Sequence, residues 1–135
     1  MGYRIEDIEG IGSAYSERLL KLGIETTDDL LEKAGTKSGR KTIAEKSEIP
    51  ESLVLTWVNH ADLMRIHGVA GQFSELLEAS GVNTVKEFAQ RNAENLHAKM
   101  IAVNEQFGLA GKVPSVESLH DMISQAKKLE PKVFY

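Results

Sequence analysis

The sequence predicts an all-α fold, two tandem helical repeats packed as one compact domain, and three observations lead there. The first is a duplication: Ile8-Glu9-Gly10-Ile11-Gly12-Ser13-Ala14-Tyr15-Ser16-Glu17 recurs as Ile66-His67-Gly68-Val69-Ala70-Gly71-Gln72-Phe73-Ser74-Glu75, an offset of 58 residues. The second is apolar spacing at helical intervals, as in Tyr15, Leu19 and Leu22. The third is that no segment alternates apolar and polar residues over more than a few positions, so strand signals are missing.

The copy extends well past the opening motif. At the same offset of 58, Leu19 falls on Leu77, Gly23 on Gly81, Ile24 on Val82, Thr26 on Thr84, Asp29 on Glu87, Leu30 on Phe88 and Ile43-Ala44 on Ile101-Ala102. Trp57-Val58 and Ala61 instead match Met122-Ile123 and Ala126, which requires seven extra residues, placed in a loop around Gly108 to Val113. Repeat one therefore spans about 1–65 and repeat two about 66–130, with an apolar tail at 131–135. A duplicated unit of this size implies that each copy covers the other's apolar face.

The elements come in order. Tyr3 to Ile8 is about one and a half helical turns ahead of the first glycine turn. The helix carrying Tyr15, Leu19 and Leu22 stops at Gly23, and its counterpart with Phe73, Leu76 and Leu77 stops at Gly81. Thr84-Val85-Lys86-Glu87 is a capping box and Thr26-Thr27-Asp28-Asp29 its shorter-acid equivalent, so a short helix starts at the same place in both copies. A further helix is expected around Lys41 to Lys46 and around Asn95 to Gln106, then a longer one opened by Pro50 or by Pro114-Ser115. The longer helix of the first copy places Leu53, Trp57, Ala61 and Met64 on one stripe beside Val54 and Val58, and runs directly into His67-Gly68.

Bulk properties narrow the function classes. A chain of 135 residues is enough for one domain with a real core. No stretch approaches the roughly 20 apolar residues of a membrane span, and the start lacks a signal region, so a cytoplasmic protein without a membrane partner is expected. With no cysteine there is no disulfide framework, thiolate metal site or cysteine nucleophile. The formal net charge is −4, but unevenly spread. Residues 1–35 hold four Lys/Arg against eight Asp/Glu, whereas 36–66 hold five against four and include Lys37, Arg40 and Lys41. Acidic surroundings oppose strong nucleic-acid binding, while a local basic face favours it.

Gly10-Ile11-Gly12 is the sharpest candidate site. A glycine turn leading into a helix presents backbone N–H groups that have no intrahelical acceptor, and those bind anions, phosphate first of all. The same residues also allow two helices simply to pack closely. Ser13 opens the first helix; Gly68, Val69, Ala70 and Gly71 repeat the arrangement, flanked by Arg65 and His67. A positive φ at Ala70 would be unfavourable, so Gly71 takes over that duty or the second turn binds less well. Gly35-Thr36-Lys37-Ser38-Gly39-Arg40-Lys41-Thr42 has the wrong spacing for a P-loop. It reads instead as a loop at a helix start, with Lys37, Arg40 and Lys41 clamping a phosphate or simply solvated.

His60, His67, His97 and His120 show no metal-ligand spacing, and neither a metal nor a cofactor is expected. Asn59, His60 and Asp62 are expected to orient and cap the end of the Trp57 helix, and Trp57 to belong to the core. No acid, base and nucleophile cluster marks an enzyme.

Ile8-x-Gly10-Ile11-Gly12 followed by an amphipathic helix resembles the helix-hairpin-helix motif of many DNA repair and replication proteins. Over nearly its whole length the chain also resembles the bacterial domain-of-unknown-function 4332 family. The segments that carry this are Thr36-x-x-Gly39-Arg40-Lys41, Trp57-Val58-Asn59-His60-Ala61-Asp62-Leu63 and Ala89-Gln90-Arg91-Asn92-x-Glu94-Asn95-Leu96. The resemblance implies a helical binding module without an assigned ligand, and the lack of a catalytic cluster makes a non-catalytic role the expectation. Two partner classes remain open: a DNA or RNA backbone held without regard to sequence, helped by Arg18 and Lys21, or a protein partner docking on an exposed apolar strip or on Val133-Phe134-Tyr135.

Overall fold

The first turn of the molecule is a short 3-10 helix at Ile5–Asp7, tied down by Ile5 N–H donating to the Glu25 carbonyl at 2.9 Å and Thr27 N–H to the Tyr3 carbonyl at 2.9 Å. The computed structural model describes residues 2–135. Among them are eight α-helices: α1 Ser13–Leu20, α2 Thr27–Ala34, α3 Lys37–Ser47, α4 Glu51–Leu63, α5 Gly71–Ala79, α6 Val85–Ala89, α7 Ala93–Phe107 and α8 Val116–Lys128. No strand forms among the described residues beyond one isolated bridge between Arg4 and Thr26. The all-α expectation holds. No helix of the described residues is long and apolar enough to cross a membrane.

Contacts divide the chain into two compact units, one of residues 1–62 with 131–135 and the other of 63–130. In the first, α2 packs on α3, and the core gathers Ile5, Ile8, Leu19, Ile24, Leu30, Val54, Trp57 and Val58. Tyr15 lays its ring against Trp57 with centroids 5.1 Å apart, so Trp57 is core as expected. In the second, α8 packs on α6 and α7, and α5 on α7, around Ile66, Val69, Leu76, Leu77, Val82, Phe88 and Leu96.

Local geometry matches at residues that the sequence aligns. Gly23 (φ 82°) and Gly81 (φ 94°) end α1 and α5, and in both places the next residue donates back into the helix, Ile24 to Leu19 and Val82 to Leu77. Thr26 and Thr84 cap α2 and α6 by accepting from Asp29 and Glu87 N–H at 3.1 and 3.3 Å. The returning carboxylates differ. Asp29 accepts from Glu25 and Thr26 N–H, closing a true capping box, whereas the longer Glu87 accepts from Asn83 N–H at 3.3 Å.

Two local expectations need correction. α3 begins at Lys37, not near Lys41, because Thr36 caps it by accepting from Gly39 N–H at 3.1 Å; the supposed basic loop is its first turn. α4 ends at Leu63, and a bend over 64–68 intervenes before the second glycine turn. Asn59, His60 and Asp62 near that end are all buried, so α4 is enclosed on every side along its second half.

Candidate functional site

Each glycine turn is built by two buried anchors and one residue that must turn left. In the first, Ile11 N–H donates to the Ile8 carbonyl at 3.2 Å, both isoleucines are buried, and Gly10 at φ 89° supplies the positive φ of a type II turn. In the second, Val69 N–H donates to the Ile66 carbonyl at 3.1 Å, with Gly68 at φ 96°. The residue after the apolar anchor is extended in both, Gly12 at φ −87° and Ala70 at φ −115°. Ala70 is therefore no handicap, because Gly68 rather than Ala70 or Gly71 carries the left-handed conformation.

The helices that leave the two turns, α1 and α5, start differently from their neighbours. Thr26, Thr36, Thr84, Asn92 and Ser115 cap α2, α3, α6, α7 and α8 with a side-chain oxygen. Gly12 and Ala70 provide no such cap to α1 and α5. The first α-helical bond of α1 is Ser16 N–H to the Gly12 carbonyl at 3.0 Å, and that of α5 is Ser74 N–H to the Ala70 carbonyl at 2.9 Å. The N–H groups of Ser13, Ala14 and Tyr15, and of Gly71, Gln72 and Phe73, thus have no acceptor within their helices.

The two turns differ in access. A Cβ placed on Gly10 or on Gly12 would meet nothing within 4 Å, so the first turn faces open space, with Glu9 and Ser13 exposed beside it. At Gly68 the same construction lies 3.2 Å from the Met122 methyl of α8. His67 N–H is also taken there, donating to Gln125 Oε1 at 3.0 Å, and Gly71 is buried.

The structure separates the three basic candidates. Lys37 and Lys41 are exposed on the first turns of α3. Arg40 is 3% exposed, and its guanidinium donates to the carbonyls of Ala34 (3.3 Å), Gly35 (2.9 Å) and Phe134 (2.9 Å) and lies over the Tyr135 ring. Those bonds tie the tail to the α2–α3 corner and leave the guanidinium no part in the Gly10 turn. α1 instead meets the far end of α3, where Arg18 reaches the Glu48 carbonyl at 3.4 Å. Lys33 and Lys46, which no spacing in the sequence singles out, line a cleft between α2 and α3 together with hydroxyl groups of α3.

A family model for a domain of unknown function, DUF4332, matches residues 9–129, from the first glycine turn to the end of α8. The chain belongs to the DUF4332 family. Neither a curated protein nor a solved structure matches this DUF4332 chain. Membership fixes kinship and assigns neither ligand nor activity.

Proposed function

We propose that the chain is a non-catalytic helix-hairpin-helix module that binds nucleic-acid backbone phosphates weakly and without reading sequence. One observation carries this reading: α1 and α5, the helices that leave the glycine turns, lack the side-chain cap found on five other helices. A first turn left uncapped and open accepts a phosphate oxygen in place of a cap. The Gly10 turn is the principal contact and the Gly68 turn, crowded by Met122, the weaker one. Lys37 and Lys41 remain available to a phosphate, whereas Arg40 acts as scaffold.

Gly12→Asp tests the reading. The backbone at position 12 is extended and nothing lies within 4 Å, so the carboxylate fits, caps α1 from within and repels a phosphate. Duplex binding measured by fluorescence anisotropy should disappear while the fold gains stability. For the unsubstituted chain, neutralising about two phosphates weakens binding roughly 10-fold between 50 and 200 mM salt. A flat salt response, or unchanged binding by G12D, overturns the proposal.

A protein adaptor is the second reading, favoured by one groove. Leu20, 52% exposed, lines a 320 Å³ groove with Ile5 and Ile24; Glu17 and Glu25 stand around it, and Glu6 there is paired with Arg4 at 3.0 Å. An apolar floor with an acidic rim suits a basic amphipathic peptide. Leu20→Glu removes binding of such a peptide and leaves duplex binding as it was.

A further inference from the structure

Lys33 in the last turn of α2 and Lys46 in the last turn of α3 line one cleft of 370 Å³. Thr36, Ser38 and Thr42 line the same cleft and Ile43 adds an apolar wall, while no carboxylate takes part. Among the described residues neither lysine forms an ion pair within 4 Å, although the Lys33 charge also acts on the Asp29 carboxylate outside the cleft. Two lysines and no carboxylate among the lining residues give the cleft a positive balance that a dianion complements.

We propose that this cleft binds a phosphomonoester. A monoester carries about −1.5 to −2 charges at neutral pH, which matches two lysines, whereas each backbone diester carries one. The donors come from side chains, since the Gly39 N–H at the start of α3 is already given to Thr36 Oγ1 at 3.1 Å. Thr42 Oγ1 donates to the Ser38 carbonyl at 3.0 Å. The Thr36 and Ser38 hydroxyls meet at 3.4 Å, where only one of them donates, so a second hydroxyl proton is free to turn toward an oxyanion. The cleft exceeds the size of a bare phosphate and falls in the range of pockets that hold small organic ligands, about 300–1,000 Å³. Its residues are not those of the glycine turns, so the inference stands apart from the duplex-binding reading.

The monoester comes from one of two sources, a small phosphorylated metabolite or the 5′-phosphorylated end of a nucleic acid. Amide NMR spectra of the full chain, titrated with inorganic phosphate, adenosine monophosphate, adenosine, and a short single strand with and without a 5′-phosphate, distinguish them. Saturable shifts at the Gly39, Thr42 and Lys46 amides are expected with the phosphorylated probes and none with adenosine or the 5′-hydroxyl strand. Binding by adenosine monophosphate assigns a small-molecule source; binding by the 5′-phosphorylated strand alone assigns a nucleic-acid end; either supports the site. Lys33→Met with Lys46→Met should weaken binding by at least about 10-fold, and the double arginine variant should retain it. Gly12→Asp should leave these shifts untouched, which separates this site from the turn. No saturable shift with any phosphorylated probe, or equal shifts in the double methionine variant, overturns the proposal.

Discussion

The Arg40 guanidinium holds the Phe134 carbonyl at 2.9 Å across 94 residues of sequence, and the Gly35 carbonyl accepts the Phe134 N–H at 2.8 Å. Both polar groups of one tail residue are thus paired at the α2–α3 corner. Tyr135 extends the contact by donating its hydroxyl to Asn59 Oδ1 at 3.1 Å. A buried arginine whose charge is spread over three carbonyls is a structural fastener.

Arg40→Met should destabilise the fold by about 2–4 kcal/mol, because it takes the guanidinium from three carbonyls, of which that of Gly35 still keeps the Phe134 N–H. Arg40→Lys should recover only part of this, since one ammonium cannot span the same three acceptors. Urea unfolding measures both, and faster hydrogen exchange of the Phe134 amide should report the loosened tail.

Gly10→Ala and Gly12→Ala should behave differently although the residues are two apart. The first forces a left-handed Ala at φ 89° and costs about 1–2 kcal/mol. The second sits in extended backbone, where Ala70 already occupies the aligned place, and should change stability by less than about 0.5 kcal/mol. Thermal melts of the two variants decide it.

Gly12→Asp should raise stability by about 0.5 kcal/mol as a new cap on α1 and remove duplex binding together. Unfolding curves and anisotropy on one preparation read both effects.

Acid should weaken the start of α2. The Glu25 N–H bonded to Asp29 holds that carboxyl below its ordinary value of 3.8, against the opposing effect of partial burial, with the Thr26 N–H and hydroxyl and the Lys33 charge adding to the depression. A depressed folded pKa means the contribution is present above the unfolded value and is lost as pH falls from about 4 through the lower folded one. Asp29→Asn should flatten that part of the stability profile, as followed by chemical unfolding from pH 5 to about 2.5.

Gly35→Ala should destabilise by about 1–3 kcal/mol despite the better helix propensity of alanine. Its Cβ would lie 2.4 Å from the Lys132 carbonyl oxygen and 2.5 Å from that of Leu31, so backbone must move. Loss of the Phe134 amide protection in the variant would locate the damage at the tail.

Elements governed by local chemistry are legible in the sequence. The Thr26 and Thr84 caps, the stops at Gly23 and Gly81, and the glycine turns all depend on residues a few positions apart. The start of α3 is hidden because Ser38 and Gly39 are poor helix formers, and the Thr36 cap outweighs them. Ala70 misleads because a motif does not say which residue turns left. Asn59 and Arg40 escape a linear reading because each has a partner in the tail far along the chain, and the Lys33–Lys46 cleft because it forms only when α2 packs on α3. Asn59 meets Tyr135 76 residues away, and no spacing rule relates the two.

Because residues 131–135 count among the contacts of the first unit, the chain leaves that unit at residue 62 and comes back to it only after the whole second unit. During synthesis α2 and α3 emerge early, yet Arg40 waits for its last acceptor until Phe134 has left the ribosome. The fastening of the α2–α3 corner therefore comes with a built-in delay, set by closing a loop of 94 residues between Arg40 and Phe134.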